Sequence, residues 1–196
     1  MNSGSWASYN HAGWVSSASN IETWHTPFAN GGNTYVASDG DYLVELSPSS
    51  SSYIYSTITA ISTQATFSYD HGNRTGVVEE LDFYVIELNG AFDTVVEDAT
   101  ANEFVFATGD DSIVYSDTHS TSTTLSTSAA DWTQQSGVFN TVAGQDYAIV
   151  FSSATLDAGA MGNLIDNVEV AAVVPEPSSV ALLALGGLAL ISRRKR

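Results

Sequence analysis

The chain has no cysteine, which excludes disulfides, thiolate catalysis, iron–sulfur sites and zinc knuckles together. Positive charge is almost as scarce. Five Lys and Arg stand against 22 Asp and Glu, a net charge of −17, and four of the five cations are the last four of 196 residues. Residues 1–192 therefore hold one cation, Arg74, and 21 excess negative charges. A field of that sign repels phosphate backbones and anionic lipid headgroups, so no nucleic acid is expected as a partner of the body. Long helical periodicity is missing too: from Asn20 to Val170 no window keeps an apolar 3.6-residue period for more than two turns. There is no phosphate loop, dinucleotide fingerprint or Gly-x-Ser-x-Gly elbow. His11, His25, His71 and His119 lack the spacing of a two-histidine metal site.

What is present is a supply of core residues, 43% hydrophobic and 11% aromatic, broken into short runs by Gly, Asn, Asp and Ser. This is an all-β pattern. Strands are predicted over Tyr42–Leu46, Tyr53–Ile61, Ala65–Tyr69, Leu81–Leu88, Glu103–Ala107, Ser112–Ser116, Thr121–Thr127, Gly137–Val142, Tyr147–Ser152 and Leu164–Val170. Ten strands at this spacing suit two packed sheets. In Leu81–Leu88 both parities are partly apolar, as in a central strand of a sandwich. Residues 20–172 are read as the sandwich domain and residues 1–19 as an N-terminal segment. That segment has neither a basic nor an apolar stretch of a signal peptide, so a leader is expected upstream of Met1.

The tail has three parts: Pro175-Glu176-Pro177, a hydrophobic helix over 178–192, and the basic end Arg193-Arg194-Lys195-Arg196. The uninterrupted apolar run, Val180–Ile191, is 12 residues, about 18 Å as a helix and short of the roughly 30 Å hydrocarbon layer. It has no polar face, and Gly186-Gly187 interrupts it, which argues against a buried core helix. The basic end would stay cytoplasmic and place the body across the membrane. This arrangement resembles the PEP-CTERM proteins, exported proteins of Gram-negative bacteria. The resemblance implies an exosortase, a membrane cysteine transpeptidase, as partner. It also implies a transient inner-membrane anchor, processing around Pro175–Pro177, and delivery to the cell surface or extracellular matrix.

A second resemblance runs from Asn20-Ile21-Glu22 through Gly40–Leu46, Leu81–Leu88, Asp131-Trp132, Gly137-Val138-Phe139 and Tyr147–Phe151 to Ile165-Asp166-Asn167-Val168-Glu169-Val170. It is similar to galactose-binding-like jelly rolls, a class with many carbohydrate-binding modules. The fold implied is a two-sheet β-sandwich of jelly-roll type, followed by the short C-terminal hydrophobic helix. In such modules a structural calcium often joins the first strand to the last. The resemblance places its ligands at Glu22 and Asp166, and calcium takes 6–8 oxygens. The same residues equally suit a turn cap and an acceptor of backbone hydrogen bonds at a strand corner.

Glycan binding needs exposed aromatic faces, because the C–H face of a sugar packs on a ring while polar groups bond its hydroxyls. Trp24, His25 and Tyr35 lie in loop-like sequence and are the candidates; Trp132 is assigned to the core. Glu80-Leu81-Asp82 with Glu87 is similar to the acidic strand of laminarinase-like glycosidases. Glu87, however, has the wrong parity and sits five positions after Asp82, so facing carboxylates are not expected. Asn73-Arg74-Thr75 fits the N-glycosylation pattern. The expectation is a non-enzymatic, exported glycan-binding module with extracellular polysaccharide as a partner. A structural surface or biofilm protein without a defined ligand is the alternative, and a glycoside hydrolase a distant one.

Overall fold

The computed structural model describes residues 5–9, 13–17, 21–46, 52–92, 96–98, 103–106, 110–154 and 162–173. Pro175, Glu176, Pro177, the helix expected over 178–192 and Arg193–Arg196 lie outside the described residues. Two sheets face each other. The first has six strands in the order β1 (Ser5–Tyr9), β3 (Ile21–His25), β6 (Tyr42–Glu45), β15 (Asn163–Ala172), β8 (Gln64–Asn73) and β13 (Thr133–Asn140). The second has five, β12 (Ser112–Ser120), β9 (Glu80–Glu87), β14 (Asp146–Ser153), β7 (Tyr53–Thr59) and β2 (Trp14–Ser16). Two hairpins, β4 (Phe28–Asn30) with β5 (Asn33–Tyr35) and β10 (Val96–Asp98) with β11 (Glu103–Val105), and one 3₁₀ turn (Ala129–Asp131) complete it. Every pairing is antiparallel. The fold is an all-β jelly-roll sandwich. It begins before residue 20, because β1 and β2 each extend a different sheet.

Strand alternation builds three apolar layers. Ile21, Phe67, Tyr69, Leu81, Phe83, Val85, Ile149, Phe151 and Ile165 fill the space between the sheets. On the outer face of the six-stranded sheet Trp24, Leu43 and Leu164 lie under Phe28, Tyr35, Leu125 and Trp132. On the outer face of the five-stranded sheet Ile86, Ala148 and Val150 lie beside Phe104 and Phe106. β9 carries both kinds of position, Leu81, Phe83 and Val85 inward and Ile86 outward, as its two apolar parities predict. Burial of this kind yields about 25 cal/mol per Å² of apolar surface and is what holds short strands in place.

Thr121–Thr127 is not a strand, contrary to its β-branched composition. Its backbone is committed elsewhere: Thr121 N–H donates to Glu79 O, Ser126 N–H to Asn73 O, and Val36 N–H to Ser126 O. The segment crosses the second layer and brings Leu125 onto it. Trp132 is structural as expected, half-buried, with its indole N–H on Val36 O at 3.0 Å. The close fit explains Gly72, where an added Cβ would lie 2.5 Å from Ser126 Oγ and 2.7 Å from the Trp132 ring. Gly72→Ala is expected to destabilise the chain by about 1–3 kcal/mol through overpacking, read as a lower urea midpoint at unchanged slope.

Asn73 of the glycosylation pattern is 1% exposed. Its amide donates to Val77 O, to Thr121 Oγ1 at 2.8 Å and to Ser122 O at 2.8 Å, so in the folded chain it is a loop clamp with no free amide for a glycan.

Candidate functional site

The six-stranded sheet has a seam at β6 and β15. The two strands pair only at Leu164↔Glu45 and Ile165↔Val44, while β15 stays with β8 over most of its length and bulges between Asp166 and Glu169. Asn167 makes this turn possible. It holds φ of 50°, a left-handed conformation that Asn tolerates better than most residues. Beyond Ile165 the strands part, and Trp14 of β2 and Ile54 of β7 line the opening from the other sheet. The result is a groove of about 290 Å³ floored by Ile21, Val44, Ile54 and Ile165, with Trp14, Tyr42, Asp166 and Asn167 at its sides.

The Tyr42 ring stays exposed, at 45%. His25 lies beside it, ring centroids 4.7 Å apart. Trp14 is half-buried and leans on Phe151 at 6.0 Å, so one part of the indole is anchored in the core and the rest reaches the groove. Asp166 is braced. Oδ2 accepts from Ser38 N–H (2.8 Å), Ser38 O–H (2.9 Å) and Asp39 N–H (3.1 Å), and Oδ1 from Asn167 N–H (2.8 Å). The Asn167 amide donates to Asp70 Oδ2 at 3.2 Å. The rim thus offers a carboxylate and an amide in fixed positions over an apolar floor, the composition of a small polar-ligand groove.

The expected platform at Trp24, His25 and Tyr35 is not formed. Trp24 is 0% and Tyr35 2% exposed; their rings pack edge-on at 5.4 Å, and Trp24 is 4.5 Å from Phe28. The β4–β5 hairpin folds back over the sheet and buries them. Their polar tips are satisfied internally, Trp24 N–H on Glu22 Oε1 (2.7 Å) and Tyr35 O–H on Arg74 O (2.7 Å). Of the three, only His25 reaches the groove, through Tyr42. Trp14 and Tyr42 were missed as site residues because nothing in their local sequence says that β2 and β6 meet at one opening.

Glu22 and Asp166 do not fit a shared calcium. Asp166 has Oδ2 filled by Ser38 and Asp39 and keeps only one lone pair, on Oδ1 beside the Asn167 N–H, while Glu22 faces Trp24 and Glu45. Among the described residues no three His, Asp or Glu converge on one point. Asp166 has instead the strand-corner role. Glu22 sits directly across from Glu45, whose carboxyl is pushed up to about 7 by burial, against the pull of Arg74 and helped by the charge of Glu22 and a hydrogen bond with it.

Residues 173–196 match the model of the PEP-CTERM protein-sorting motif. The tail is a sorting signal. A PEP-CTERM tail marks an exported, surface-directed protein. Among the described residues no helix is long and apolar enough to cross a membrane. No curated protein sequence matches the chain. The chain is similar to a family 35 carbohydrate-binding module from Clostridium thermocellum, at 17% identity over 86% of this chain and 99% of the other, TM-score 0.45. It is also similar to the C-terminal family 6 module of a marine laminarinase from Zobellia galactanivorans, at 11% identity over 85% and 99%, TM-score 0.45. A family 35 module from Paenibacillus barcinonensis is 12% identical over 85% and 98%, TM-score 0.38.

Proposed function

We propose that the chain is an exported surface protein whose sandwich binds a neutral glycan, without catalysis, in the groove of Trp14 and Tyr42. The observation that carries this reading is the exposed Tyr42 ring beside an apolar floor, with Asp166 and Asn167 fixed at the rim. A sugar ring would lay its C–H face on Tyr42 or Trp14 and turn its hydroxyls to Asp166 Oδ1, which accepts a single bond within the fold, and to the Asn167 amide. Charge narrows the class. With one cation in residues 1–192, and that one paired inside the fold, uronate or sulfate polymers meet repulsion from every side. An exosortase would act on the tail at Pro175–Pro177, with the helix over 178–192 as a short-lived inner-membrane anchor and Arg193–Arg196 held at the cytoplasmic face of a Gram-negative cell.

The test is a glycan array probed with the full-length chain in mild detergent. Saturable binding to neutral glycans is expected, and Tyr42→Ala should weaken it roughly 10- to 100-fold, about 1.4–2.8 kcal/mol, while the melting temperature stays within about 2 °C because the ring is exposed. A structural surface role is the second reading, favoured by the burial of Trp24 and Tyr35. Silence across the array from folded protein would select it.

A further inference from the structure

The two most exposed large hydrophobics among the described residues, Ile61 at 78% and Val142 at 61%, stand at the same end of the sandwich. Ile61 is in the β7–β8 loop and Val142 in the β13–β14 loop. Backbone bonds lace the loops together: Thr141 N–H donates to Thr63 O (3.0 Å), Ala60 N–H to Gln145 O (2.9 Å) and Gly144 N–H to Ala60 O (2.7 Å). A groove of about 260 Å³ opens beside them, lined by Ile58, Ile61, Ala65, Val170 and Ala172 among others. Charge is missing here, since residues 58–65, 138–145 and 170–175 hold no acid in a chain with 22. Acids at this end, among them Asp146 and Glu87, are on strands of the five-stranded sheet. The chain also departs for its tail from this end. Val173 N–H still donates to Gln64 O at 2.9 Å, and the apolar run begins at Val180, seven residues later. Seven residues with two prolines reach about 22 Å at roughly 3.1 Å each. The 12-residue run, about 18 Å as a helix, leaves about 12 Å of a roughly 30 Å hydrocarbon layer uncovered. With Arg193–Arg196 held at the cytoplasmic face, the connecting residues would spend that shortfall first. About 10 Å of connector would then remain, little more than the about 5–8 Å of headgroups on one side of a bilayer.

We propose that the acid-free tip of Ile61 and Val142 is a membrane-contact surface: while the tail holds the chain to the inner membrane, both side chains enter the headgroup layer of the outward-facing leaflet and orient the sandwich over it. Two aliphatic side chains bury too little area to bind lipid unaided, so cutting the tail releases the body. The inference rests on the reading of residues 178–192 as an inner-membrane anchor.

The chain has no cysteine, so a fluorophore can be placed at one position at a time through Ile61→Cys, Val142→Cys, Val77→Cys or Leu185→Cys. The experiment puts each labelled full-length chain into phosphatidylcholine vesicles carrying lipid with a nitroxide on the headgroup or the acyl chain. Labels at 61 and 142 should lose about half of their emission or more to the headgroup nitroxide, because an interfacial side chain sits within about 5–10 Å of the headgroup–acyl boundary. Val77 is 58% exposed and lies past the far end of the ten-residue β8; about 33 Å away, its label should lose less than about a tenth. Ile61→Asp should restore most of the emission of the Val142 label, leave the Leu185 label quenched by acyl-chain nitroxide, and keep the melting temperature within about 2 °C because the site is exposed. Labels at 61 and 142 that stay bright while the Leu185 label is quenched overturn the inference alone. A bright Leu185 label overturns the anchor reading and this inference with it. Labels at 61 and 142 shielded from aqueous iodide but untouched by nitroxide lipid would be covered by protein, a second copy or the tail, and overturn it as well.

Discussion

Trp24→Ala is expected to lower the unfolding free energy by about 3–5 kcal/mol, the cost of a large-to-small change in a packed layer. The ring is wholly buried, with Phe28 at 4.5 Å and Tyr35 at 5.4 Å, and Leu43, Leu164, Leu125 and Trp132 belong to the same cluster. The mutation leaves a cavity that β4–β5 cannot close without moving, and it removes the indole donor from Glu22 Oε1, leaving that carboxylate against Glu45 with one partner fewer. Urea unfolding checks the loss. The same variant separates the two roles sequence suggests for this residue: a stacking platform would lose glycan binding at unchanged stability, whereas a core residue loses stability first. A change of less than about 1 kcal/mol would mean that the hairpin does not cover the sheet as described.

Sequence placed the interior strands well and the periphery poorly, and the reason is length. Leu81–Leu88 and Tyr147–Ser152 are long enough for both parities to be read, and each lies within a residue or so of β9 and β14. β3, β4 and β5 have three to five residues, too few for alternation to separate a strand from a loop, so Trp24 and Tyr35 looked exposed. What buries them comes from about 100 residues further along, Leu125 and Trp132. Thr121–Thr127 failed in the opposite sense. Its threonines favour a strand, but backbone hydrogen bonds to Glu79 O and Asn73 O and from Val36 N–H make it a crossing loop. The groove was partly legible. Asp166 is legible as a residue of the strand corner, where it accepts backbone hydrogen bonds, whereas nothing in the sequence marks Asn167 as a rim residue. The meeting of Trp14 with Tyr42 depends on strand order in two sheets, which no local pattern encodes.

Stability should be nearly flat between about pH 4.5 and 6.5 where His71 and Glu45 are concerned, because two buried groups oppose each other. His71 is 1% exposed, and burial pulls it down to about 4 despite its bond to Asn163 Oδ1 at 2.8 Å. The unfolded chain, with an ordinary histidine near 6.5, takes up that proton first, so the contribution is complete above pH 6.5 and is lost as pH falls towards 4. Glu45 runs the other way. Its folded value near 7 lies above the ordinary carboxyl value of 4.5, so the native chain holds the proton longer, and its contribution is complete below pH 4.5 and lost as pH rises to 7. Each displacement, His71 from 6.5 to about 4 and Glu45 from 4.5 to about 7, is worth on the order of 3 kcal/mol, and within the shared window the slopes cancel. Single variants should expose the halves. Relative to wild type, Glu45→Gln should lose about 3 kcal/mol on acidification from pH 6.5 to 4.5, and His71→Gln should gain about as much over the same interval. Urea unfolding at half-unit pH steps measures both difference curves. Parallel curves for the wild type and both variants would show that neither group titrates differently in the folded chain, and crossing curves would place the opposing protons on β6 and β8.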